Sequence, residues 1–172
     1  SGQYAYVVSQ LDRSLQIINI SNPATPVIVG GVRDSLRLDN ATRVAVSGQY
    51  AYVTGLDYDA ILVIDISVPT NPEIIRVARG ALSTNQPPFG SPNDVSIIDD
   101  SLYVSYGGDH SGVAVFDISN PEQTHLIGNY SQSSGMNNLQ GIYFLDGKLY
   151  GVSYDDNSLH IFDTTRKTDP DP

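Results

Sequence analysis

The chain has 172 residues, 40% of them apolar, enough for one domain that buries roughly two thirds of its unfolded surface. Its 19 acids against 9 bases give a formal charge of −10, which leaves no basic stripe for nucleic acid and disfavours anionic membrane surfaces. Cysteine is absent, excluding disulfides, thiolate metal sites and cysteine nucleophiles together, and no apolar run approaches the ~20 residues that span a bilayer.

In chain order the residues read as short strands between turn formers. Strands are expected at 4–8, 15–20 and 27–32, then at 42–46, 50–54, 61–66 and 73–78. They continue at 94–98, 101–105, 113–118 and 125–130, and end at 141–145, 148–153 and 159–163. β-Branched and aromatic residues fill these segments, Gly and Pro interrupt the rest, and no stretch sustains helical spacing.

The segments repeat. LVIDISVPTNP at 62–72 recurs as LQIINISNPATP at 15–26, as VAVFDISNP at 113–121 and faintly as LHIFDTTRKTDP at 159–170. The residues at the Asp of Asp-Ile-Ser are Asn19, Asp65, Asp117 and Asp163, spaced 46, 52 and 46 apart. Tyr6, Tyr52, Tyr103 and Tyr150 precede them at a nearly constant distance. The longer interval holds an insertion, ALSTNQPPFGSPN, at 81–93.

In the third strand of a unit, Ile61 and Val63 point one way and Leu62 and Ile64 the other, yet none is polar. Such a strand belongs to a sheet covered on both faces. Successive four-stranded meanders of about 45 residues, packed on both faces, fit a β-propeller. The expected fold is therefore all-β: one propeller domain over 1–172, with about four consecutive blades of antiparallel strands A to D. Blades are expected near 1–33, 42–79, 94–131 and 140–172. The first lacks strand A and the last lacks strand D, which leaves sticky edges. Three arrangements are open: a segment of a longer ring of six to eight blades, a half-ring completed by another chain, or a four-blade ring with three-stranded ends.

The wording GQYAYV followed by LVIDISVPTNP resembles the LVIVD repeat of bacterial and archaeal proteins. The likeness is good in three units; in the fourth, Lys167 stands at the first proline and Thr164-Thr165 at Ile-Ser. It implies a propeller in an extracellular or cell-surface protein, and it implies no particular activity.

Candidate chemistry is weighed against that scaffold. Asp65, Asp117 and Asp163 are expected to close turns by accepting backbone N–H bonds, since one per blade cannot converge on a substrate. The B–C loops carry Asp12, Asp57, Asp59, Asp109, Asp155 and Asp156, and share a face with D–A loops bearing Asp34, Asp39, Asn40, Asn93, Asn137 and Asn138. Asp57, Asp59, Asp109, Asp155 and Asp156 are the candidate ligands for a hard cation such as calcium, although no loop has EF-hand spacing. At the start of the A strands, Arg43, Asp94 and Gly141 form a mixed-charge channel mouth suited to a small polar ligand. Pro87, Pro88 and Phe89 in the insertion are the candidate contact surface for a protein partner. His110, His125 and His160 have no metal-ligand spacing, and no G-x-S-x-G elbow is present. The function expected is a non-catalytic binding or assembly module, its partner the remainder of its own propeller or another chain. The alternative is a calcium-type propeller hydrolase or lyase.

Overall fold

The computed structural model of the chain describes residues 2–80, 90–107, 111–132 and 136–164. Four antiparallel sheets follow one another along it. The first holds β1 (Tyr4–Ser9), β2 (Ser14–Asn19) and β3 (Val27–Arg33). The second holds β4 (Ala41–Ser47), β5 (Tyr50–Gly55), β6 (Ala60–Asp65) and β7 (Glu73–Ala78). The third holds β8 (Pro92–Ile98), β9 (Ser101–Tyr106), β10 (Ser111–Asp117) and β11 (His125–Gln132), with a single 3-10 turn at Pro121–Gln123. The last holds β12 (Leu139–Leu145), β13 (Lys148–Ser153) and β14 (Ser158–Asp163). Each sheet is a meander of neighbours in sequence, and each is one blade of a β-propeller.

Period-two alternation feeds two different cores from each strand. In blade 2, Tyr52, Ile61 and Val63 pack forward with Leu102, Val104, Ala114 and Phe116 of blade 3. From the same strands, Ala51, Val53, Leu62 and Ile64 pack backward with Leu15 and Ile17 of blade 1. Blade 3 joins blade 4 in the same way, through Tyr103, Val113 and Val115 against Leu149 and Phe162. Burial between blades 2 and 3 pushes the Tyr52 phenol up to about 12, with the neighbouring Tyr50 adding to the rise. The blades thus stack side against side.

Local chemistry sets the blade ends. Asn19, Asp65 and Asp117 each accept the N–H two residues on, from Ser21 at 2.9 Å, Ser67 at 2.8 Å and Ser119 at 2.8 Å. These are Asx turns, and they explain why Asn serves as well as Asp. The following Ile donates its N–H back across the blade, Ile20 to Gln3, Ile66 to Gln49 and Ile118 to Asp100.

Two regularities lie beyond the simple alternation. The A strands start earlier than expected, at Ala41, Pro92 and Leu139, because each carries a register irregularity just after its first residue. Each D strand also bulges, so that Val29, Ile75 and Ile127 are passed over in the pairing with strand C. A bulge adds local twist and re-aims the strand.

Candidate functional site

The B–C and D–A loops do share one face, and their acids bond to one another's loops. Arg13 Nε donates to Asp39 at 2.8 Å, and Gln10 donates to the Asn40 amide oxygen. The Asn40 Nδ2 in turn donates to Asp57 at 3.2 Å, so this one residue links the B–C loops of blades 1 and 2. Between these groups lies a cleft of about 280 Å³ lined by Gln10, Leu11, Arg13, Asp39, Asn40 and Asp57. Its walls combine one guanidinium, two carboxylates and two amides, an arrangement able to hold a small polar molecule by hydrogen bonds.

The other candidate acids are placed as braces. Asp59 accepts the Ser91 N–H at 2.8 Å. Asp156 accepts both the backbone N–H and the Nδ2 of Asn137. Asp12 meets Arg33 at 3.3 Å, while Asp155 is exposed in the blade 4 turn. Asp109 lies outside the described residues, as do His110 and Pro87, Pro88 and Phe89. Among the described residues no three carboxylates or imidazoles gather as a metal centre. His125 Nδ1 pairs with the Gln123 carbonyl at 2.9 Å, and His160 Nε2 with Ser158 Oγ at 2.8 Å.

Asp34 shows how much such bracing contributes. Its carboxylate accepts the N–H of Arg37 at 2.7 Å and of Leu36 at 3.0 Å, and it also holds the Arg37 guanidinium at 2.7 Å. The Arg37 N–H first, then the guanidinium and the Leu36 N–H, keep this carboxyl below the ordinary range against the opposing effect of burial. A lowered folded-state pKa stabilises fully above the ordinary carboxylate value near ~4 and is lost as pH falls through the folded value. Asp34→Asn is expected to cost about 1 kcal/mol at neutral pH and to flatten the loss of melting temperature below about pH 4. Melting curves across the acid range check this.

At the inner edge, Arg43, Asp94 and Gly141 are brought together, as neighbours on the adjacent strands β4, β8 and β12. Asp94 is a latch between blades. Its Oδ1 faces Arg43 Nε of blade 2 at 3.4 Å, and its Oδ2 accepts the Ile142 N–H of blade 4 at 3.0 Å. Asn93 adds a second tie, donating to the Leu139 carbonyl at 3.0 Å. The irregularity in β4 is satisfied locally, since Thr54 Oγ1 accepts the Arg43 N–H at 3.0 Å.

A hinge point repeats above each A strand and escaped the sequence reading. Asn40, Ser91 and Asn138 have φ of 53°, 45° and 59°. Their carbonyls accept from Leu56, Gly107 and Tyr154, closing the D–A loop onto the B–C loop. Two residues earlier, Leu38 and Met136 plug the gap between blades and are fully buried. Asn at 40 and 138 carried the left-handed signal, but Ser91 broke the pattern.

The sequence match now adds to the geometry. The model of the LVIVD repeat matches residues 1–34, 39–77 and 89–132. The chain belongs to the LVIVD-repeat family. No curated protein sequence matches this LVIVD-repeat chain. Among solved structures it is similar to a candidate 6-phosphogluconolactonase from Bacteroides uniformis, at 16% identity and a TM-score of 0.73, over 97% of this chain and 49% of that one. It is similar to the computationally designed Ika4 protein at 10% identity and a TM-score of 0.67, over 94% of this chain and 85% of that one. A chain of the nidogen–laminin complex matches at 14% identity and a TM-score of 0.62, over 94% and 56%. The LVIVD-repeat chain thus spans about half the length of the Bacteroides protein, and at these identities the likeness is one of fold. The fourth blade falls outside the repeat match, as its departures at Thr164-Thr165 and Lys167 lead one to expect.

One last feature is geometric. Tyr150, Val152, Leu159 and Ile161 of blade 4 stand where blade 1 has Tyr6, Val8, Leu15 and Ile17. Leu15 and Ile17 are 0% exposed, packed on blade 2, whereas Leu159 and Ile161 are 62% and 44% exposed. On the opposite end of the arc, Ile28 and Val7 of blade 1 are 61% and 43% exposed, although their counterparts Ile74 and Val53 pack between blades 1 and 2. Both end faces are interblade surfaces with no blade against them among the described residues.

Proposed function

We propose that this LVIVD-repeat chain is a non-catalytic propeller segment of an exported or cell-surface protein, working by assembly with further blades and by protein binding. The observation that carries it is the pair of bare end faces: contiguous apolar sheet surface on a chain of net charge −10 is an interaction surface. The exported or surface location is supported by the family resemblance. The bracing roles of Asp39, Asp57, Asp59, Asp94 and Asp156 favour assembly over the calcium-type enzyme, because these acids already accept hydrogen bonds from the scaffold. The nidogen–laminin neighbour supports the same reading only as a case of this fold within a protein complex.

The test is chemical modification of tyrosines in the dilute, single-copy chain. Tyr143 and Tyr154, 68% and 73% exposed, are expected to react rapidly, while Tyr52 and Tyr103, each 1% exposed, stay protected. Protection of Tyr143 and Tyr154 in a single copy would remove the open face and the assembly role with it. Calorimetric titration with calcium is expected to be flat and to leave the melting temperature unchanged. A calcium-dependent rise would favour the enzyme instead.

A further inference from the structure

We infer, resting on the assembly role above, that the occupant of both end faces is a second copy of this chain, the two half-rings closing head to tail with blade 4 of each on blade 1 of the other. Three observations favour a copy over other blades.

The two faces are generic partners. Blade 4 presents Leu159 and Ile161 at the positions by which Leu15 and Ile17 dock on blade 2. Blade 1 presents Ala5, Val7, Ile18 and Ile28 at the positions by which Ala51, Val53, Ile64 and Ile74 receive that docking. One end is the forward side of a blade interface, the other is the backward side.

Tyr143 then selects a blade of unusual make-up. It lies on strand A of blade 4 where blades 2 and 3 carry Ala45 and Ser96, and it is 68% exposed. Ala45 packs beside Val95 and Ile97 of the next inner strand, which leaves no room there for a phenol ring. Tyr143 fits against a blade whose innermost strand is a B strand, and blade 1 is such a blade, with β1 at its inner edge.

Finally, blade 1 offers a hole where blade 4 offers a knob. A cleft of about 230 Å³ opens on its bare face around Ser14, Gln16, Ile28 and Gly31. It exists because Gln16 and Gly31 replace the Leu62 and Val77 of blade 2. The Ser14 Oγ at its rim is buried without a hydrogen-bond partner. By strand alternation Tyr154 projects from the forward face of blade 4 at the same B–C loop end, 73% exposed and bearing a hydroxyl. The interface is heterologous, and two copies close it because the arc spans about half of a propeller of known structure.

Light scattering on the eluting 172-residue chain is expected to give twice its 18.6 kDa mass, with the pair strengthened by salt because two chains of charge −10 repel. Ile161→Arg and Ile28→Arg change exposed residues at opposite ends. Each is expected to keep the native melting curve in the single copy and to weaken association by roughly tenfold or more. Mixing the two variants restores a pair, since one of its two interfaces is then free of arginine. A single-copy mass at millimolar protein would overturn the inference while leaving the assembly role to further blades of a longer chain. A ladder of rising masses would overturn closure by two. Association that survives Ile28→Arg and is abolished by Ile161→Arg would mean a face-to-face pair and overturn the head-to-tail arrangement.

Discussion

Leu15→Ala is expected to cost about 3 kcal/mol, and Leu159→Ala, measured where the chain is a single copy, less than about 0.5 kcal/mol. The two leucines occupy the same position of the repeat on strand C, and both flank a turn on the loop face. Leu15 is fully buried between blades 1 and 2, so truncation leaves a cavity walled by Val53, Leu62 and Leu38. Leu159 is 62% exposed, so truncation removes little buried area. For a chain of this size the first change should lower the melting temperature by roughly 6–12 °C and the second by almost nothing. The same contrast is expected for Ile17→Ala against Ile161→Ala. Equal losses at the two sites would mean that the end face of blade 4 is covered within the single chain, contrary to the structure.

Gly30→Ala is expected to be among the costliest single-methyl changes in the molecule, about 3 kcal/mol. A Cβ at Gly30 would stand 2.1 Å from the Pro69 carbonyl oxygen and 2.9 Å from the Thr70 Cα. Both are backbone atoms of the blade 2 turn, held by the Asn71 N–H bond to the Val68 carbonyl, and they have no flexible side chain to yield. The aligned position in blade 2 is Arg76, whose Nε donates to the Thr124 carbonyl of blade 3 at 3.2 Å. There the facing turn is the 3-10 turn Pro121–Gln123, which leaves room for a side chain. Arg76→Ala should therefore cost only about 1 kcal/mol, the net value of one exposed-edge hydrogen bond. Thermal melts of the two variants decide the matter, and a tolerated Gly30→Ala would show that blades 1 and 2 are spaced further apart than described.

These two contrasts also mark how the loop face was legible. The acids of the B–C and D–A loops were identified as one face from chain order alone, and the structure joins them there. What they do was not legible, because Asp59 and Asp156 are spent on Ser91 and Asn137, whose approach depends on how neighbouring blades seat. Arg43, Asp94 and Gly141 were correctly grouped by alignment. That Asp94 ties β8 to the Ile142 N–H across a blade boundary required the tertiary positions.

From residues alone came the strands, their four-fold recurrence, the Asx turns at Asn19, Asp65 and Asp117, and the need for cover on both sides of strand C. All of these are short-range: alternation has period two, and a turn depends on its own few residues. Which of two identical patterns is buried is not short-range. Leu15-Gln16-Ile17 and Leu159-His160-Ile161 read alike, and only the placing of blade 2 against the first, with no blade against the second, separates core from surface. Burial belongs to pairs of blades rather than to any one strand, because the apolar area lost to water is set by what arrives to cover it.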